Sequence, residues 1–220
     1  GDDDNHDTTA TIWMSGEQEN MGMITGINLS AATLFGYNKT ELINKKVNVL
    51  MSEMYSERHD FFVENYLNLG ESSIIAKNKE RLVFGKHRTE YIFPAYLSLR
   101  SAQSIMQGVQ LIASFRIVKN FRSTAYVLTR PDGTIDSLTS SCMTVLKIDQ
   151  KAVAKKANIQ DYIPKIITER FSMFSNVKGS ANSSTISLQY NYPKDSEYYF
   201  ADREKSSATL NCQLKEITFL

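Results

Sequence analysis

From Gly22 the chain reads Gly22-Met23-Ile24-Thr25-Gly26-Ile27-Asn28-Leu29-Ser30-Ala31-Ala32-Thr33-Leu34-Phe35-Gly36-Tyr37, and within this segment the apolar period changes from that of a strand to that of a helix. Residues 23–27 have the character of a short strand. An earlier apolar run at 10–15 precedes it across Gly16-Glu17-Gln18-Glu19-Asn20, so the two are expected to pair as a hairpin. Asn28 stands just before the helical segment, where its side-chain oxygen can accept from the N–H groups that open a helix, and Gly36 can close that helix with a positive φ. Asn38 and Glu41 then have capping-box spacing for a second short helix, and Asn44 tolerates a left-handed turn.

Working outward, residues 55–69 form the longest helical stretch, with His59, Phe62, Val63 and Tyr66 inward by spacing and Gly70 as its stop. Beyond it the period becomes that of strands. Residues 80–86, 91–100 and 107–118 are rich in β-branched and aromatic side chains and are broken by polar turns, the pattern of an antiparallel meander. The helix is expected to face the strands that contain Leu82, Ile92 and Ile112. Residues 1–9 are acidic and aperiodic and read as a flexible tail, with residues 10–120 as a first domain.

Residues 121–220 repeat the opening of this order. With Gly22 set against Gly133, the apolar Leu34, Phe35 and Tyr37 fall on Val145, Leu146 and Ile148, and Asn28 falls on Thr139, another capping residue. A second, degenerate copy is therefore expected. Downstream, residues 159–174 read as helical around Pro164, 183–192 and 208–220 as strands, and 179–184 and 204–207 as loops.

Composition excludes several classes. The formal net charge is +1, with 25 basic and 24 acidic residues, and no basic stripe is present to neutralise phosphates, so nucleic acid is not an expected partner. No run of about 18 apolar residues spans a bilayer. Cys142 and Cys212, the two cysteines, have no CxxC pairing and no histidine cluster beside them, which points to a reducing compartment rather than a disulfide framework or a zinc site. Cys142 is expected as a buried thiol on the first helix of the second copy. There is no glycine-rich phosphate loop, GxSxG or HExxH, so no enzymatic activity is expected. The opening Gly1-Asp2-Asp3-Asp4 without Met suggests a piece of something longer.

The order Gly22-Met23-Ile24, Asn28, Ala32, Leu34-Phe35-Gly36-Tyr37, Glu41-Leu42, Asn48-Val49-Leu50-Met51, His59-Asp60, Tyr66-Leu67, Gly70-Glu71, Gly85-Lys86 and Phe93-Pro94 resembles a PAS domain. The resemblance is dense over residues 10–118 and fainter from Tyr126 to Ile148, where Pro131-Asp132-Gly133-Thr134-Ile135 carries it. It implies an α+β fold class: two PAS folds, each a five-stranded antiparallel sheet with short helices over one face. It also implies sensory or dimerisation modules that self-associate or bind protein partners through sheet faces and attach to an effector or a transmembrane region. The first domain is similar to PAS modules of ciliate membrane proteins, which implies a cytoplasmic location.

In the oxygen-sensing haem PAS kinases, which this segment also resembles, the iron ligand is the His of a His-Asp pair on this helix. The resemblance therefore implies a candidate pocket of His59, Phe62, Val63, Tyr66, Ile74 and Arg81, with haem b as the cofactor if any is bound and Arg81 in the distal place. Asn65 stands where that group has a basic residue. A flavin adduct needs a cysteine shortly after Asn44, and residues 45–51 contain none. An aromatic-filled core without a cofactor is the plainer expectation.

Overall fold

The computed structural model describes residues 9–68, 80–106, 108–164, 166, 185–191 and 207–213. The chain divides into two units, residues 1–124 and 125–220.

In the first unit, β1 (Ala10–Ser15) and β2 (Ile24–Ile27) pair antiparallel. Three helices follow: α1 (Leu29–Phe35), α2 (Lys39–Leu42) and, after a 3-10 turn at Val47–Leu50, α3 (Glu53–Asn68). Then β3 (Arg81–Lys86), β4 (Ile92–Ser104) and β5 (Gly108–Ile117) complete a five-stranded antiparallel sheet of order β2-β1-β5-β4-β3. The helices thus lie in the chain between a hairpin and a three-stranded meander, and the first strand joins the two by pairing with the last.

Local chemistry explains the helices. Asn28 Oδ1 accepts from Ala31 N at 2.9 Å, and Gly36 ends α1 in the left-handed region at φ 76°. The Asn38–Glu41 capping box closes on both sides, and Asn44 takes φ 63°. Asn28 does more than cap. Its Oδ1 also accepts from Thr11 N at 3.0 Å and its backbone N donates to Thr11 O, so one side chain fastens the start of α1 to β1.

Strand alternation assigns Ile12, Met14, Ala95, Leu111 and Ala113 to the inner sheet face, where they pack with Ala31, Ala32, Phe35, Leu42, Val47 and Leu50. At its centre the Phe35 ring stands edge-on to Phe93 (5.2 Å between centroids) and Phe115 (5.4 Å). Register decides which residues of these strands face the core. Ile112 lies opposite Trp13 and Arg100, and Leu82 opposite Tyr96, so Leu82 and Ile112 belong to the outer face, one residue out of phase with the core.

The β4–β5 ladder continues to Ser104–Gly108, past the expected end at Arg100. Ser101-Ala102-Gln103-Ser104 has little strand propensity of its own. It is held by pairing with β5, whose Val109 N donates to Glu17 Oε1 at 2.6 Å while Val109 O accepts from Gly16 N.

In the second unit, β6 (Val127–Thr129) and β7 (Ile135–Leu138) form a hairpin turned by Gly133 at φ 88°. The helices α4 (Ser141–Val145), α5 (Gln150–Ala154) and α6 (Ile159–Tyr162) follow, and β8 (Thr185–Asn191) pairs with β9 (Ser207–Gln213). Among the described residues this unit therefore has two two-stranded pairings, not the expected five-stranded sheet. The stretch expected to be helical around Pro164, residues 159–174, is interrupted after Tyr162, because Pro164 disfavours helical backbone at Ile163, which sits at ψ 82°; Ile166 is helical again. Residues 167–184 lie outside the described set.

The opening of the second unit nonetheless repeats four hydrogen bonds of the first. Thr139 Oγ1 accepts from Tyr126 N and Thr139 N donates to Tyr126 O, as Asn28 does with Thr11. Ile135 N to Ala157 O and Ile159 N to Gly133 O match Ile24 N to Lys45 O and Val47 N to Gly22 O. Cys142 is fully buried, and burial pushes its thiol pKa up.

Candidate functional site

Helix α3 carries the expected site residues, and its inward face follows from its contacts. Val63 packs against the core, and Ser52, Ser56, His59 and Val63 succeed one another at steps of four, three and four residues, so they share one face. Ser52 opens the helix, its carbonyl accepting from Tyr55 N at 3.1 Å and Ser56 N at 2.9 Å. Leu50 and Val47, on the preceding 3-10 turn, are buried in the core and fix the angle at which the chain enters α3.

His59 Nδ1 is buried and has no hydrogen-bond partner among the described residues. Burial holds the imidazole pKa below its ordinary value. Asp60 opposes this and Lys46 adds to it. The ring is thus disposed to be neutral. Asp60, the next residue, points the other way. Its carboxylate pairs with Lys46 Nζ at 2.7 Å and accepts from Asn48 Nδ2 at 3.1 Å, which lowers its pKa, with the Lys46 hydrogen bond as the largest cause. Asn48 Nδ2 also donates to Ser56 O at 3.2 Å, tying the 3-10 turn to α3.

The expected constellation assembles only in part. His59 and Val63 lie on the inward face of α3, and Phe62 and Tyr66 are on the same helix. Ile74 lies outside the described residues. Arg81 opens β3 opposite Leu97, which packs against the core, and is exposed. Lys46, Asn48 and Ser52 were not anticipated. The spacing of Ser52, Ser56, His59 and Val63 was the signal that could have found Ser52, whereas Asn48 reaches α3 only through the tertiary turn.

As a haem site the arrangement fits incompletely. A neutral, unpartnered imidazole suits an iron ligand. The core of the first unit, however, is filled by Phe35, Phe93 and Phe115, packed so closely that a Cβ added at Gly85 would lie 2.6 Å from Phe93 Cζ and 2.9 Å from Phe35 Cε1. No group of three or more His, Cys, Asp or Glu suited to a metal ion occurs among the described residues.

The strand order, the intervening helices and the α3 His-Asp pair make residues 10–118 PAS-like. No family model matches the chain. It is similar to the sensor protein FixL of Bradyrhizobium diazoefficiens, 36% identical over 83 residues, and to a protein of Dictyostelium discoideum named "Probable serine/threonine-protein kinase", 37% identical over 78 residues. These matches cover 38% and 36% of this chain but only 16% and 5% of those proteins. Among solved structures it is similar to a PAS domain from Desulfitobacterium hafniense (TM-score 0.40, 13% identity, 50% of this chain and 92% of that one). Another is a PAS domain from Colwellia psychrerythraea (TM-score 0.38, 17% identity, 50% and 86%).

Proposed function

We propose that this chain is a PAS sensory and protein-interaction module that couples a partner or ligand to an effector elsewhere in a longer protein, and that it is not itself an enzyme. The observation that carries the reading is the five-stranded sheet with α1 to α3 inserted between its first hairpin and its meander, joined to the match over 83 residues with a sensor protein. The repeated clasp at Thr139 and Tyr126 supports a second PAS-like copy in residues 121–220. The outer sheet face supplies a contact surface: Trp13 is half-buried over Gly26, and Leu82 is exposed. No helix among the described residues is long and apolar enough to cross a membrane, and we place the module in the cytoplasm, attached to an effector or to a membrane-spanning region.

The test has two parts. Sedimentation of the 220-residue chain from about 1 to 100 µM, beside a Trp13→Glu variant, reads self-association. Deletion of residues 10–120 from the longer protein reads the effect on its output. Association that weakens in the variant, or an output that changes on deletion, is expected. A monomer at all concentrations whose removal leaves the output unchanged overturns the reading.

A haem-based gas sensor is the second reading, favoured by the unpartnered His59 Nδ1. An absorbance spectrum of the protein with added haemin decides it: a Soret band lost in His59→Ala supports haem, and a spectrum of free haemin removes it.

A further inference from the structure

The β4–β5 hairpin ends in two large apolar side chains in open solvent, Ile105 at 107% and Met106 at 94% exposure. Scattered apolar residues are ordinary on a surface, but an adjacent pair at the far point of a hairpin marks a place of contact. The tip is not free to fold back. Backbone pairing runs out to Ser104 and Gly108, and on the other side of β5 Glu17 Oε1 accepts from Val109 N at 2.6 Å. The tip is therefore held in line with the sheet and does not lie over its own sheet face. At these exposures the chain itself does not cover the pair, so what receives it is a second molecule.

Charge selects the receiver. Residues 101–115 carry no charged side chain, and residues 16–22, which meet the hairpin through Glu17, carry Glu17 and Glu19 and no basic residue. An apolar tip with an acidic border is repelled by an anionic lipid surface and suits an apolar patch bordered by basic groups. The outer face of the same sheet is such a patch. Ile112 stands directly opposite Trp13 on β1 and Arg100 on β4, so the three are cross-strand neighbours on one face. Trp13 and Ile112 are half-buried and Arg100 is exposed, and the rows of this face on either side of them hold no acidic residue. Farther along, the Glu80 carboxylate is paired with Arg116.

We propose that the Ile105–Met106 tip of one copy of this chain docks on the Trp13–Ile112–Arg100 row of a second copy, with the acidic border of the tip toward Arg100. The two patches differ, so the contact is heterologous: each copy offers one tip and one face, and assembly continues past a pair unless it closes into a ring. This rests on the self-association in the module reading and names the two surfaces that make it.

Sedimentation velocity of the 220-residue chain, over the concentrations used for the module reading, tests this with two variants: Ile105→Glu with Met106→Glu at the tip, and Trp13→Glu on the face. Each alone should associate about tenfold more weakly than the parent, or worse. Their equimolar mixture should form a dimer and nothing larger, because the intact tip of one still meets the intact face of the other. Unchanged association of the tip variant overturns the proposal. So does a mixture that stays monomeric, or a parent chain that is monomeric throughout. The tip variant alters only exposed side chains; if Trp13→Glu fails to fold, Arg100→Glu takes its place on the face. Failure here is distinct from failure of the module reading: association lost in Trp13→Glu but kept in the tip variant supports that reading without the tip, and a monomeric parent leaves it to the output of the longer protein.

Discussion

Replacing Phe35 with alanine removes the ring at the centre of the first unit, and the structure sets the cost. Phe35 is 1% exposed and touches Phe93 and Phe115 edge-on at 5.2 and 5.4 Å. Burial lost with the cavity left behind is about 3 to 5 kcal/mol for a phenylalanine in a closed core, a range that already contains most of the two ring contacts, each about 0.5 to 1.5 kcal/mol. A domain of this size has roughly 6 to 18 kcal/mol of stability in all, so the variant folds but melts early. With each kcal/mol shifting the midpoint by about 3 to 6 °C, a fall of roughly 10 to 25 °C is expected. Urea unfolding followed by circular dichroism should show the loss in the midpoint at an unchanged slope. A loss below about 1 kcal/mol would refute the argument, since it would mean that a cavity already lies beside Phe35 and that the interior is not filled by its own aromatic side chains.

Other substitutions test the joints around this core. Asn28→Ala deprives both Ala31 N and Thr11 N of their acceptor and should cost about 1 to 2 kcal/mol in a thermal melt, while Asn28→Ser, with a shorter reach, should recover the helix cap but not the link to β1. Gly85→Ala drives a methyl against Phe93 and Phe35 and should destabilise by about 1 to 3 kcal/mol; a neutral effect would show that these rings move aside freely. Because burial lowers the His59 pKa, the folded state binds fewer protons than the unfolded chain. Its contribution is thus complete above the ordinary value of 6.5 and is lost as pH falls through the lower folded value, so His59→Leu should flatten the decline in stability below that pH. Limited proteolysis should cut first between residues 118 and 125, where Asn120 takes φ 59°, and release two folded pieces; an uncut chain, or cleavage elsewhere first, counts against two independent units.

Much of the first unit was legible from the chain alone. Asn28, Gly36, Asn38 with Glu41 and Asn44 specify their turns and caps through bonds made within a few residues, so their chemistry reads directly from sequence. The same holds for Gly133, and for Cys142 as a buried thiol. Alternation announced strands, and it carried the resemblance to PAS domains. What local chemistry could not announce was any relation made across the fold. The extra ladder from Ser101 to Ser104 depends on β5 and on Glu17, which lies 92 residues from Val109.

Register, too, was a tertiary decision. A shift of one residue exchanges the two faces of a strand, and only the observed pairing of Trp13 with Ile112 and of Leu82 with Tyr96 put Leu82 and Ile112 outside the core. Sequence named His59 and Val63 through helical spacing. It could not show that Arg81 opens its strand exposed, or that Asn48 turns back to hold α3, because both depend on where separate elements end against one another. The caps and the alternating pattern are written in neighbouring residues, whereas the hold of Asn48 on Ser56 and Asp60 exists only once the 3-10 turn and the helix are packed together.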